Sequence, residues 1–151
     1  MVQKLYSVGY QGIKVDDLYA AIRHLDAVLV DVRIRPWSQQ EEYQKPQLQA
    51  LFGPHYQHIP ELGNLNYKGG EVLLQDVEHG TVELLKVLRD SPAVVMCACW
   101  NYETCHRRNV VDEMVARYFV EVFHLSKQSV RVFADKFNNK GDQKPVQPTL
   151  F

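Results

Sequence analysis

Residues 27–33 read AVLVDVR, five apolar side chains in seven, three of them valine. Apolar residues at consecutive rather than alternating positions are what a strand covered on both faces requires, so this segment reads as a middle strand of a parallel sheet. Working outward, residues 93–99 (AVVMCAC) have the same character, and residues 4–9, 56–62 and 120–125 give three further strands. Helical spacing fills the intervals. Val15, Leu18, Ile22 and Leu25 share a face behind a cap at Asp16 or Asp17, and Leu48, Leu51 and Phe52 follow Pro46. Val77, Thr81, Leu84, Leu85 and Leu88 form a third set, and Val110, Val111, Met114, Val115, Tyr118 and Phe119 a fourth. Strands alternating with helices predict an α/β fold: a single three-layer domain with a mainly parallel sheet, helices on both faces and right-handed crossovers. From about residue 137 the chain turns polar (NNKGDQKPVQPTLF), so the expected division is a domain over 1–136 and a flexible tail over 137–151.

The chain has 151 residues, 46% of them hydrophobic, with 17 Lys and Arg against 18 Asp and Glu. That length supports a sizeable core without disulfides or a structural metal. A net charge of −1 gives no overall attraction to nucleic acid or to a membrane surface, so any anion binding must come from a local basic cluster. No apolar run approaches the roughly 18 to 20 residues that span a bilayer, and the N-terminal segment lacks an apolar signal core. Three cysteines, Cys97, Cys99 and Cys105, crowd into nine residues and make a poor disulfide framework. The expectation is a reduced, cytoplasmic protein with no membrane association.

In open α/β sheets ligands bind beyond the carboxyl ends of the strands. Those ends carry Gly9 and Tyr10, then Arg33 and Arg35, then Glu61, then Cys97 and Cys99, then His124. The richest stretch is MCACWNYETCHRRN, residues 96–109, which runs from a buried strand through a loop into a helix opened by Cys105, His106, Arg107 and Arg108. A helix N-terminus attracts anions and lowers the pKa of a nearby thiol. Two arginines in that turn therefore imply an anionic partner, either a ligand or a carboxylate such as Glu103. Three chemistries fit the cysteines: Cys105 or Cys97 as a nucleophile with His106 or His124 carrying the proton, zinc binding, or plain burial in the core. Spacing counts against zinc, because Cys97 and Cys99 on one strand point to opposite faces and the adjacent pair Cys105 and His106 rarely shares an ion, so no metal and no cofactor is expected. Asp31 and Arg33 alternate on their strand and face one side, as a catalytic pair or as a scaffold ion pair. Trp37, Trp100, Tyr10, Tyr67 and Tyr102 surround the same end, suited to stacking a base or to closing a lid.

Four motifs in order, SVGYQG, LVDVRIRPWS, HIPELGN and CACWNYETCHRR, resemble the domain-of-unknown-function family numbered 488 over about residues 4–125. The Cys-His-Arg step eight residues after a strand-end cysteine is the most specific element. The resemblance implies an α/β fold, an enzymatic site of no established reaction, and family positions at Gly9, Asp31, Arg33, Pro36, Ser38, Leu62, Gly63, Cys97, Cys105, His106 and Arg107. Cys99 stands where relatives usually place Glu. A more distant similarity to rhodaneses rests on the Asp-Val-Arg strand and the His-Ile-Pro turn. Neither a rhodanese loop nor the Cys-x5-Arg loop of cysteine phosphatases follows Cys99 or Cys105, so sulfur or phosphoryl transfer by that machinery is disfavoured. The last five residues, QPTLF, resemble a sliding-clamp-binding motif, with Gln147 setting register and Leu150 and Phe151 entering an apolar groove.

These readings converge on an enzyme acting on a phosphate-bearing substrate, a nucleotide or nucleic acid, with a possible link to DNA repair or replication through the tail. Cys105, His106, Cys97 and Asp31 are the candidate catalytic residues. Gly9, Tyr10, Arg33, Arg35, Ser38, Arg107 and Arg108 are the candidate substrate contacts, with Arg33, Arg107 and Arg108 expected to form one anion site. The alternative is a non-catalytic nucleotide- or nucleic-acid-binding module recruited to the sliding clamp.

Overall fold

A computed structural model describes residues 3–143. Five strands and five helices alternate: β1 (Gln3–Gly9), α1 (Val15–Leu25), β2 (Val28–Asp31), α2 (Lys45–Phe52), β3 (Tyr56–His58), α3 (Val77–Asp90), β4 (Ala93–Cys97), α4 (His106–Arg117), β5 (Val120–Leu125) and α5 (Lys127–Gln143). All strand pairings are parallel, in the order β3-β2-β4-β1-β5. The consecutively apolar strands identified from sequence, β2 and β4, are neighbours inside the sheet, as burial on both faces demands.

Side-chain alternation along these strands feeds two cores. Tyr6, Val8, Leu29, Val94 and Met96 point to the face covered by α1, α2 and α5, where Leu18, Ile22, Leu48 and Val130 complete the packing. Leu5, Val30, Val95 and Cys97 point to the other face, against Leu84 and Leu88 of α3 and Val110 and Met114 of α4. The result is the three-layer α/β domain. Because every strand runs the same way, every carboxyl end opens at one edge of the sheet, and the loops there build a cleft.

Several boundaries differ from the sequence reading. Strand β2 stops at Asp31 because the Arg33 N–H turns inward to Asp31 Oδ1 and leaves the ladder. Strand β3 is three residues long, since Pro60 begins a 3-10 turn through Leu62. The cap of α1 is Lys14, with Asp16 and Asp17 one turn inside, where negative charge favours the helix dipole. Helix α5 is the element the sequence reading missed. Val130 and Ala134 are buried, with Phe133 packed beside them against the α1 side of the core, and the helix continues to Gln143, past the boundary drawn at residue 136. The clamp-motif residues Gln147, Leu150 and Phe151 lie outside the described residues. Among the described residues no helix is long and apolar enough to cross a membrane.

Candidate functional site

The loops at the carboxyl edge enclose a cleft of about 650 Å³. Its floor is the end of β4 and the start of α4: Cys97, Cys99, Cys105 and His106. One wall is Tyr10, Arg33, Arg35 and Trp37 from the segments after β1 and β2; the other is a loop over residues 64–72.

Asp31 and Arg33 settle as scaffold rather than as chemistry. Asp31 is fully buried, and its carboxylate accepts from Arg33 Nε at 2.8 Å, Arg33 Nη2 at 2.7 Å, the Arg33 backbone N–H at 3.1 Å and the Tyr56 hydroxyl at 2.6 Å. Arg33 also donates to the Tyr10 hydroxyl and to the carbonyls of Trp37 and Tyr43. Every guanidinium nitrogen of Arg33 is therefore engaged. Burial opposes its charge, but the hydrogen bonds and charge of Asp31 outweigh that and raise its pKa. Burial, with the nearby negative charges, also pushes the Tyr43 and Tyr56 hydroxyls well above their ordinary range, so both stay protonated. Tyr10 stacks on Tyr43 with ring centroids 4.0 Å apart, closing the network under the cleft wall.

The two other arginines of the expected anion site are not beside Arg33 in function. Arg108 is exposed and pairs with Glu103 at 2.9 Å, so the carboxylate partner, not a ligand, answers its charge. Arg107 is 2% exposed and points back into the protein. Its Nη1 and Nη2 donate to the carbonyls of Cys99 and Trp100, its plane lies over Tyr102, and its buried Nε has no partner. No carboxylate pairs with it among the described residues. The three arginines therefore do not form one anion site.

Gly9 and Ser38 are likewise reassigned by their contacts. A side chain on Gly9 would sit 1.6 Å from the Cys99 carbonyl oxygen, so Gly9 is what lets the loop after β4 cross the end of β1. Tyr10 N–H and Gln11 N–H donate to the carbonyls of Cys97 and Ala98 and fasten that crossing. Ser38 Oγ accepts from Gln40 N–H, and its carbonyl accepts from Gln44 Nε2, which makes it a turn residue outside the cleft lining.

The three cysteines converge. Cys97 ends β4, Cys105 is the N-cap of α4, and Cys99 lies two residues past the strand in the crossing loop. Their sulfurs all lie within 4.8 Å of one another. Strand alternation, the ground on which a metal was discounted, does not apply to Cys99, because the ladder has ended before it. Cys97 and Cys105 are buried and joined sulfur to sulfur, against the expectation of no disulfide among the three, whereas Cys99 is exposed and free. His106 Nε2 donates to the Val32 carbonyl at 2.8 Å, which leaves the Nδ1 lone pair free of that bond. Burial lowers the His106 pKa, only partly offset by the bond to Val32, so its ring is neutral at pH 7. The other candidate proton carrier, His124, bonds Ser7 and packs at a tilt of 43° against Tyr102, and it is not among the cleft-lining residues.

The loop over 64–72 was legible only as a glycine-containing connection. Asn64 Oδ1 accepts from Asn66 N–H and Leu73 N–H, and Asn66 Nδ2 donates to the Glu71 carbonyl, so two asparagines stitch the loop into a flap. Gly69 and Gly70 have φ of 150° and 93°, conformations that let the flap turn sharply. It carries Tyr67 and Lys68 to the cleft. The sequence signal was the NLNYKGG string itself, asparagines at turn positions before a glycine pair. Comparison with known proteins adds no relative, since no protein-family model, curated protein or solved structure matches this chain.

Proposed function

We propose that the protein is an enzyme whose cleft takes a nucleotide or a segment of nucleic acid, phosphate toward the basic rim and base against the aromatic side chains. One observation carries this reading. The cleft is lined by Arg35 and Lys68 together with the already engaged Arg33, and no carboxylate among the described residues lines it, although the chain as a whole has a net charge of −1. Arg35 sits over the Tyr67 ring at 5.6 Å and Lys68 at 5.9 Å, so both free cations converge on one aromatic platform. Trp37 stands exposed in the opposite wall. A charge-assisted contact to phosphate contributes on the order of 1.5 to 3 kcal/mol, and a stacked base adds about 1 to 3 kcal/mol. The thiol cluster on the floor supplies the reactive group. The four strand-end motifs that resemble family 488 all meet at this edge, consistent with an enzymatic site.

Quenching of Trp37 and Trp100 fluorescence by purine nucleotides and by short single-stranded DNA and RNA tests the reading. Replacing Arg35 and Lys68 together by alanine should weaken binding by about a hundredfold, the equivalent of two phosphate contacts at the low end of their range. Absence of quenching by any of these ligands, or equal affinity in the double variant, overturns it. The near-complete burial of Cys97 and Cys105 favours the second reading, a non-catalytic binding module; exposed Cys99 favours the first. Mass spectrometry of a bound ligand after incubation separates them, a chemically changed ligand supporting the enzyme. Recruitment to the sliding clamp, and with it a role in DNA repair or replication, is tested by a peptide of residues 147–151. Micromolar binding that vanishes when Leu150 and Phe151 become alanine supports it, and no binding removes it.

A further inference from the structure

We infer that Cys97, Cys99 and Cys105 together hold a divalent metal ion of the zinc type, with a fourth coordination position open to the cleft. The inference concerns the cleft floor and does not rest on the nucleotide reading.

Three observations combine. The three sulfurs lie within 4.8 Å of one another, and sulfurs sharing one tetrahedral ion at bonds of about 2.3 Å stand roughly 3.8 Å apart, so the cluster can close on one ion once the Cys97–Cys105 pair is reduced and opened. The Cα atoms of Cys97 and Cys105 are 7.8 Å apart, wider than the roughly 4.4 to 6.8 Å that disulfides span. The site is that of the reduced chain, in which a thiol reductant has supplied two electrons and Cys97 and Cys105 are separate thiols.

The second observation is the charge of Arg107. It is buried, it meets backbone carbonyls but no carboxylate among the described residues, and its Nε is without a partner. A buried cation needs a countercharge. Three thiolates around a divalent ion carry one net negative charge, and Arg107 holds the carbonyl of Cys99 itself. Third, all three cysteines line the cleft. A site with three protein ligands and solvent or substrate in the fourth position is the arrangement of a catalytic rather than a closed structural ion. Uptake by three thiols releases three protons as the three metal–sulfur bonds form, with no change of oxidation state.

The test uses the full chain, reduced and freed of metal, titrated with Zn²⁺ and separately with Co²⁺. One equivalent of Zn²⁺ should bind with proton release, and Co²⁺ should give a thiolate charge-transfer band with the strong visible absorption of a four-coordinate ion. Cys99→Ser, an exposed position whose change leaves the core intact, should weaken binding on the order of a hundredfold or more, at or beyond the effect of losing a supporting residue. Cys105→Ser is the stronger variant, and circular dichroism establishes whether it folds. No uptake by the reduced chain overturns the inference. So does uptake that Cys99→Ser leaves unchanged, or a Co²⁺ spectrum without a thiolate band. Nucleotide quenching without metal uptake removes this inference alone, and metal uptake without quenching removes only the nucleotide reading.

Discussion

Arg33 and Arg107 lie at the same edge of the sheet, 6% and 2% exposed, and differ in what surrounds them. Arg33 is held by a buried carboxylate, two tyrosine-built contacts and a carbonyl, with nothing left to offer a ligand. Arg107 has two carbonyls, one of them that of Cys99, an aromatic face and an unpartnered Nε. Sequence treats them alike, as strand-end or helix-start arginines in a cleft. The contrast shows that a buried arginine's role is read from its counter-ion. Where the counter-ion is a carboxylate of the fold, the residue is scaffold; where the described residues supply none, the charge stays unanswered behind the cleft floor, on the carbonyls of Cys99 and Trp100.

Substitutions at the two arginines' surroundings break or sharpen this contrast. The largest effect is expected for Asp31→Ala, which strands Arg33 as a buried, unpaired charge and should cost about 3 to 5 kcal/mol in urea unfolding. A loss below about 1 kcal/mol would mean that Arg33 is not the scaffold residue described. Gly9→Ala should cost about 1 to 3 kcal/mol, because the new methyl must displace the Cys99 carbonyl. It should also disturb the thiol side alone, read as altered Trp100 emission with the Trp37 environment unchanged. Arg107→Met, in the reduced and metal-free chain, should change stability by less than about 1 kcal/mol, since it removes an uncompensated buried charge along with two bonds to carbonyls. A penalty equal to that of Asp31→Ala would erase the distinction between the two arginines.

The smallest effect concerns pH. Partial burial, and then the charge of Arg107, lower the His124 pKa below its ordinary value near about 6.5. The folded chain favours the neutral ring, so its contribution is in place above about pH 6.5 and is lost as pH falls through the lowered value. His124→Gln should therefore show a shallower decline of stability between pH 7 and 5 than the parent chain. An identical slope would mean that neither burial nor the charge of Arg107 lowers the His124 pKa.

How much of this was readable in advance depends on the kind of interaction. The parallel sheet was legible because burial on both faces leaves a run such as AVLVDVR no other economical reading. Helices α3 and α4 were legible through their apolar spacing. Helix α5 was not, because Val130, Phe133 and Ala134 make a narrow apolar stripe in a polar segment that only docking on α1 explains. In the site, the cast of residues was legible and their partners were not. Cys99 was assigned to a strand that ends two residues earlier, and a shift of that size changes which way a side chain points. Arg108 with Glu103 and Arg33 with Asp31 are local pairings that the sequence offers, whereas the Tyr10 hydroxyl and the Tyr43 carbonyl reach Arg33 from 23 and 10 residues away. Long-range hydrogen bonding leaves no periodic trace in a sequence.

The strand order has a consequence for how the molecule is made. Strand β1 precedes the other described elements in the chain, yet its neighbours in the sheet are β4 and β5. It waits for residues 93–97 and 120–125 before either of its edges is paired. Only β2 and β3 are consecutive strands that lie side by side. Assembly therefore depends on contacts between distant parts of the chain, which places the domain among slower-folding topologies. Gly9 and Cys97 face each other across the β1–β4 ladder, so the cleft floor closes only when residues about 90 positions apart have met.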